Sequence, residues 1–346
     1  MPSYATGVVT AILAERDGLQ RVLVGSSRAY VLTQLIGTVA VGDRVVVNTT
    51  AVELGLGTGG WDVVHWNLER DTWRQPGPGH IMKLRYTSLQ VDTGAAEELS
   101  AEVLAEADDL AGVPVVACAL HSQVACVAAA FKHARPTGRV AYVRTDAAAL
   151  PLALSDLVAD LRRTGLVDVT VTAGQAFGGD HEAVNLPSAL VTARHLGRVD
   201  LVIAGAGPGV VGTATRLGHT GLEVGAVLDA TDLLGGRPVA AARFSLADAR
   251  LRHQGVSHHT LTALGRACRA RATVAVPRGP FGDRARADLE AAGLGALHRL
   301  VTVDDPGLPG LLAAHGLEVR TMGRGPDDDP GFYAVAGAAG TAAALL

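Results

Sequence analysis

Three polar loops carry most of the residues in this chain that could do chemistry. The richest is Gly205-Ala-Gly-Pro-Gly-Val-Val-Gly-Thr-Ala-Thr215, in which Gly207 to Gly212 spell GxGxxG. Glycines let backbone N–H groups approach an anion, and small hydroxyls add donors without bulk. Gly205, Gly207, Gly209, Gly212, Thr213 and Thr215 are therefore candidate ligands for a phosphate or similar anion, and Arg250 and Arg252 could add charge-assisted bonds to it. A dinucleotide register would make residues 224–228 the next strand and put Asp229 on a ribose. It fits less well, because Gly218 and Gly221 would interrupt the helix that must follow Gly212. The other register makes 205–221 one long loop before a helix over 222–234. No P-loop lysine motif occurs.

Gly178-Gly-Asp-His-Glu182 supplies the second loop. Asp180 and Glu182 could act as a base or as ligands of a divalent metal, more so if Asp146 lies beside them. The same acidic residues would also suit a helix start at Asn185. His121, followed by Ser122 and Gln123, is a candidate proton donor, with a hydrogen-bonded structural histidine as the alternative. In the third loop, His258 and His259 follow Ser257 and open a helix. Adjacent helical side chains point about 100° apart, so one of the two, His258, is expected to face a site. The i, i+4 histidine pair of zinc helices is absent. The catalytic candidates are thus His121, Asp146, Asp180, Glu182 and His258. Ser122 lacks a Gly-x-Ser-x-Gly elbow, and Cys118 and Cys126 fall on apolar faces and read as core.

Elements of two kinds must position these loops. Up to residue 68, short runs rich in β-branched residues, 7–13, 21–24, 29–33 and 44–48, predict a small β-barrel-like domain. Residues 69–100 form a connector packed at the domain boundary. From 101 to 346, apolar runs alternate with helical stretches, the pattern of parallel strands buried on both faces. Runs at 113–119, 139–144, 167–173, 199–204, 238–244, 272–277, 297–303 and 317–322 predict a mostly parallel, doubly wound, Rossmann-like α/β domain, with a (β/α)8 barrel as the alternative. In either case ligands sit at the carboxyl ends of the strands. One polar cleft lined by His121, Asp146, Asp180, Gly207, Thr213 and His258 is the expectation.

Taken together, several motifs resemble the bacterial family designated DUF3866. They are Asn48-Thr-Thr-Ala-Val-Glu-Leu-Gly-Leu-Gly-Thr-Gly-Gly60, Gly79-His-Ile-Met-Lys-Leu-Arg-Tyr-Thr87, Leu120-His-Ser-Gln123, Phe177-Gly-Gly-Asp180 with Glu182-Ala-Val-Asn185, Gly207-Pro-Gly-Val-Val-Gly-Thr213 and Val256-Ser-His-His-Thr260. The resemblance spans nearly the whole chain and transfers no role to any position.

Composition narrows the function classes. A net charge of −4 argues against bulk binding to nucleic acid, and the barrel runs lack interleaved aromatic and basic residues. The apolar tail 334–346 is shorter than the ~20 residues of a membrane span. It reads as a docked segment whose need for burial suggests a homodimer. Three cysteines without a CxxC suit a reducing cytoplasm, and no signal peptide is read near Met1. The leading expectation is an enzyme acting on a phosphorylated or anionic small molecule, a nucleotide among the candidates, with a divalent metal as the cofactor the carboxylates would suit. A non-catalytic ligand-sensing or assembly module is the alternative, and a nicotinamide or flavin oxidoreductase the second.

Overall fold

Valines pointing inward from five strands close the first unit, Met1–Gly94, into a barrel. The strands are β1 (Tyr4–Arg16), β2 (Leu19–Val24), β3 (Ser27–Leu32), β4 (Arg44–Asn48) and β5 (Trp61–Asn67). Their order around the barrel is β1-β2-β3-β5-β4, antiparallel except for β3 with β5. Closure depends on the length of β1, whose first half pairs with β4 and second half with β2 across two register shifts. Gly7 lies in the half that pairs with β4, and a Cβ there would stand 2.5 Å from Val24. The run reading misses β5 because Asp62 and Asn67 occupy two of its buried positions and blur the alternation. Tyr30 and Trp61 stack at 4.8 Å with the Arg21 and Arg28 guanidiniums over the indole, a cluster that a linear reading of the barrel also misses.

The computed structural model describes residues 1–56 and 59–346. Gly57 and Thr58, inside the Gly-rich passage before Trp61, lie outside the described residues.

The second unit, Ala95–Leu346, is built on one open sheet of eight parallel strands. These are β6 (Pro114–Cys118), β7 (Val140–Thr145), β8 (Val169–Ala173), β9 (His181–Ala183), β10 (Leu201–Ala206), β11 (Arg237–Ala241), β12 (Thr273–Pro277) and β13 (Arg299–Val303). They lie in the order β9-β8-β7-β10-β6-β11-β12-β13. Free edges at β9 and β13 rule out the (β/α)8 barrel. The eighth strand is also not 317–322, which does not pair in the sheet and ends in a turn at Met322. Its place is taken by the short edge strand β9 inside the Gly178–Glu182 loop.

Alternation within each strand sends apolar side chains to both faces. Val115 and Ala117 join one core, and Val116 and Cys118 the other. Helices α1 (Gln123–Ala134), α2 (Asp156–Arg163), α7 (Leu308–Ala314) and α8 (Pro330–Ala344) cover one face. On the other lie α3 (Leu186–His195), α4 (Glu223–Leu233), α5 (His258–Arg266) and α6 (Pro280–Ala291). The C-terminal tail is thus α8, buried against α1 and the sheet within its own chain, so it supplies no argument for a dimer. No helix among the described residues is long and apolar enough to cross a membrane.

Gly340 is what lets α8 approach α1, since a Cβ there would stand 2.2 Å from the Val127 carbonyl oxygen. Gly340→Val should lower the thermal midpoint by roughly 5 °C or more, given overpacking costs of ~1–3 kcal/mol and about 2–4 °C per kcal/mol at this size. Gly310→Ala, in open space on α7, should hold or raise it. Equal midpoints for both variants would refute the close-packing account.

Candidate functional site

Strands β6 and β10 are neighbours, yet α1 follows β6 on one face and α4 follows β10 on the other. Connections that diverge in this way leave a crevice at the carboxyl edge, where open parallel sheets bind ligands. Two adjoining hollows lie there. The smaller, ≈ 150 Å³, is lined by Gly212 and Gly221 of the loop after β10 and by Arg243, Arg250, Arg252, His253 and His259. The larger, ≈ 320 Å³, is lined by His121, Ser122, Gly207, Gly209 and residues 318–322. Leu120, Val210 and Met322 belong to both.

The arginines of the smaller hollow are held by a buried carboxylate. Phe244–Ser245 and Gly255–Val256 pair as a two-residue ribbon, which carries the loop between them over the sheet edge. Within that loop Asp248 is 3 % exposed. It accepts from the Arg250 backbone N–H at 3.0 Å, from Arg250 Nε and Nη2 at 2.9 Å each, and from Arg243 Nη2 at 3.3 Å. Arg324 approaches the same carboxylate at 3.7 Å and donates to Asp329 at 3.1 Å. Three guanidiniums thus share two carboxylates. The Arg250 hydrogen bonds hold Asp248 well below the usual carboxylate range, and burial lowers Arg243 to about 10. Arg252 adds a further positive charge to the lining.

Beside the arginines stands a cluster of histidines. His258 and His259 both turn toward His253, with ring centroids 4.9 Å from it and 4.3 Å from each other. His219 stacks flat on His259 at 3.9 Å. The expectation that only one of the adjacent pair faces the site is thus overturned: both lie in the first turn of α5, and His219 and His253 close on that turn from two loops. Burial is the main cause lowering all four, His253 and His259 to about 3, with the arginines and neighbouring rings adding to it for His253, His258 and His259. For His219 the backbone of Arg216 offsets part of the effect. Three of the four, His253, His258 and His259, fall within seven residues in the sequence, whereas His219, which lies 34 residues before His253, is brought to them only by the fold.

Close approach explains several glycines of the GxGxxG loop. A Cβ on Gly212 would stand 2.7 Å from the His259 ring, one on Gly221 3.1 Å from His219, and one on Gly205 2.5 Å from the Cys118 carbonyl. One on Gly207 would overlap the Arg144 guanidinium. Gly209 adopts φ +91° with nothing beside it. Thr213 and Thr215 bond each other at 2.8 Å and close on Gly218, so their hydroxyls shape the loop and line neither hollow. Helix α4 begins at Glu223, as the long-loop register requires. Arg144 lies buried beneath Gly207, its guanidinium donating to the carbonyls of Ala149 and Pro151, and no carboxylate reaches it among the described residues.

His121 forms part of the wall of the larger hollow. Its Nε2 meets Ser155 Oγ at 2.6 Å and its Nδ1 meets the Tyr142 hydroxyl at 3.3 Å. Burial, with Arg144 adding to it, lowers it to about 3. Gln123 is structural, spanning from the Leu120 N–H to the Ala241 and Ala242 carbonyls. Asp146 accepts from the Gln175 N–H near the carboxyl end of β7.

Asp180 and Glu182 lie elsewhere. The Asp180 carboxylate accepts from the Thr170 N–H and hydroxyl and pairs with Arg162. Thr170 is level with Tyr142 and through it with Ile203, four residues below Gly207 and so on the order of 13 Å down the strand axis. Glu182 accepts from Thr172 Oγ and the Gly178 N–H. Both acids fold the 174–180 loop back along β8. The single cleft joining Asp180 to His121 and Gly207 does not form.

Glu223 replaces them at the carboxyl edge, and the sequence reading missed it. Burial pushes its carboxyl up to about 7; the Thr145 hydroxyl opposes this and Asp146 adds to it. Since folding retains this proton, the associated stability is full below the ordinary value of 4.5 and is lost as pH rises through about 7. Glu223→Gln removes that loss. Between pH 5 and pH 8 the wild type should lose ~2–3 kcal/mol relative to the variant, read as diverging thermal midpoints. Parallel profiles would show that Glu223 is ionised at little cost.

A family model described as "Protein of unknown function (DUF3866)" matches residues 28–340, nearly the whole chain. No curated protein and no solved structure matches it.

Proposed function

This chain belongs to the DUF3866 family, and we propose that its second unit is a Rossmann-like, doubly wound module acting as an enzyme on a phosphorylated or otherwise anionic small molecule. The observation that carries the reading is the arginine lining of the smaller hollow. Arg243 and Arg250 are fixed by Asp248, Arg252 faces the same space, and among the described residues the lining holds no carboxylate. Guanidiniums already held by other groups give up little freedom when they bind an anion.

Gly212 and Gly221 bring backbone close to the anionic head. The adjoining larger hollow, with Leu157, Pro208 and Val319 in its wall, suits the apolar body of a nucleotide-sized ligand. A dinucleotide cofactor loses support, because no helix starts at Gly212 to receive a pyrophosphate. Three free cysteines, two of them buried, fit a cytoplasmic setting.

Inorganic pyrophosphate serves as the probe. It should bind saturably in calorimetry and raise the thermal midpoint, and Arg252→Glu should weaken binding by roughly 10-fold or more, the value of one charge-assisted contact. Arg252 is exposed and makes no ion pair within 4 Å among the described residues, so the variant should fold. Absence of saturable binding, or equal affinity in Arg252→Glu, would overturn the assignment.

A further inference from the structure

We propose that His253, His258 and His259 form a binding site for one divalent cation of the zinc class, with His219 stacked behind His259. One ring nitrogen from each of the three lies within 4.8 Å of the other two. Nitrogens on a tetrahedral zinc sit about 3.4 Å apart at bond lengths of ~2.1 Å, so small ring rotations close the set. The ribbon at Phe244–Ser245 and Gly255–Val256 fixes this meeting, returning His253 beside the first turn of α5. The Ser257 hydroxyl meets His253 Nδ1 at 2.7 Å, which leaves Nε2 for the metal and supplies the outer hydrogen bond that metal-binding histidines use for orientation.

Unmet hydrogen-bonding capacity points the same way. Among the described residues, Nε2 of His258 and Nε2 of His259 are buried without a partner. These two nitrogens belong to the three-ring set, and a single cation would satisfy both. In the tautomers that leave one nitrogen of each ring unprotonated, a cation takes a lone pair from all three rings at once. An all-imidazole set favours zinc-like first-row metals over calcium or magnesium.

The neutral imidazole is the form that binds metal. The facing charges are Arg243, Arg250 and Arg252, with Asp248 offsetting the first two. Gly212 and Gly221 leave room for the rings to gather. The site stands independently of the anion reading.

The full chain, freed of metal with EDTA and dialysed into an anion-poor buffer, is titrated with Zn²⁺ and with Co²⁺. One equivalent should bind, Co²⁺ should show the intense visible absorption of a tetrahedral nitrogen site, and Zn²⁺ should raise the thermal midpoint. His258→Gln and His259→Gln should each weaken binding by roughly 100-fold or more, beyond the 10–100-fold of outer-sphere changes. His133→Gln, at an exposed histidine outside the cluster, should not. No stoichiometric binding by the wild type, or unchanged affinity in both cluster variants, would overturn the proposal. Because no phosphate or pyrophosphate is present, metal binding without later pyrophosphate binding would sink the anion reading alone, and the reverse result would sink the metal site alone.

Discussion

Asp248 is the interaction on which the carboxyl edge depends. Removing the carboxylate from a buried ion pair typically costs ~3–5 kcal/mol because it strands a charge. Here one carboxylate faces Arg243, Arg250 and Arg324. The loop between Ser245 and Gly255 therefore cannot lift without unpairing several charges at once. Ser245 extends the hold to the start of α8 by donating to Asp329 at 2.7 Å. This ties the ribbon, the C-terminal helix and the arginine-lined hollow into one mechanical unit. His253, carried by the same loop, is placed beside α5 by these charges as much as by apolar packing.

A second constraint comes from composition. With aromatics at 4 % and glycine at 42 positions, the second unit gains cohesion from close backbone approach and many small contacts. Gly340 on α8 against Val127 and Gly225 on α4 against Ala267 illustrate this, each leaving too little space for a methyl group. The same economy operates at the site. Gly207 makes room for Arg144, Gly212 for His259 and Gly221 for His219. Glycines that read as an anion cradle in the sequence thus serve first to seat large polar side chains under a loop. A polar pocket can then exist at the edge of an otherwise alanine- and valine-rich sheet.

The sequence made the architecture legible where periodicity is strong. Continuous apolar runs show the parallel sheet because both faces of β6, β7 and β10 are buried, and the long loop before α4 is legible from Gly218 and Gly221. It was misleading where polarity served structure. Asp62 and Asn67 face inward on β5 and hide a barrel strand, while Asp180 and Glu182 mimic catalytic acids although their oxygens are spent on Thr170, Arg162, Thr172 and Gly178. Part of the site was legible as well, since Gly212, Arg250, Arg252 and His258 do meet at one edge. The rest was not, because His219 and Glu223 come from the connection after β10 and Arg243 from the one after β11. Only the strand order, which no local pattern encodes, brings them together.

Electrostatics decides how labour divides among these groups. A proton carrier at neutral pH works best with a pKa near the operating pH. His121, His253 and His259 are lowered to about 3, so near pH 7 they accept bonds and do not hand over protons. The cause is shared: burial withdraws water, and the guanidiniums of Arg144, Arg243 and Arg250 oppose a second positive charge. The guanidiniums that would attract an anion are thus the same groups that resist a positive charge on the imidazoles. Glu223 answers to the opposite sign. Burial and Asp146 resist its negative charge and raise it to about 7, where it can both take and release a proton. At this positive, histidine-rich edge the group that burial raises is therefore a carboxyl, at the start of a helix that shares the other face of the sheet with α5.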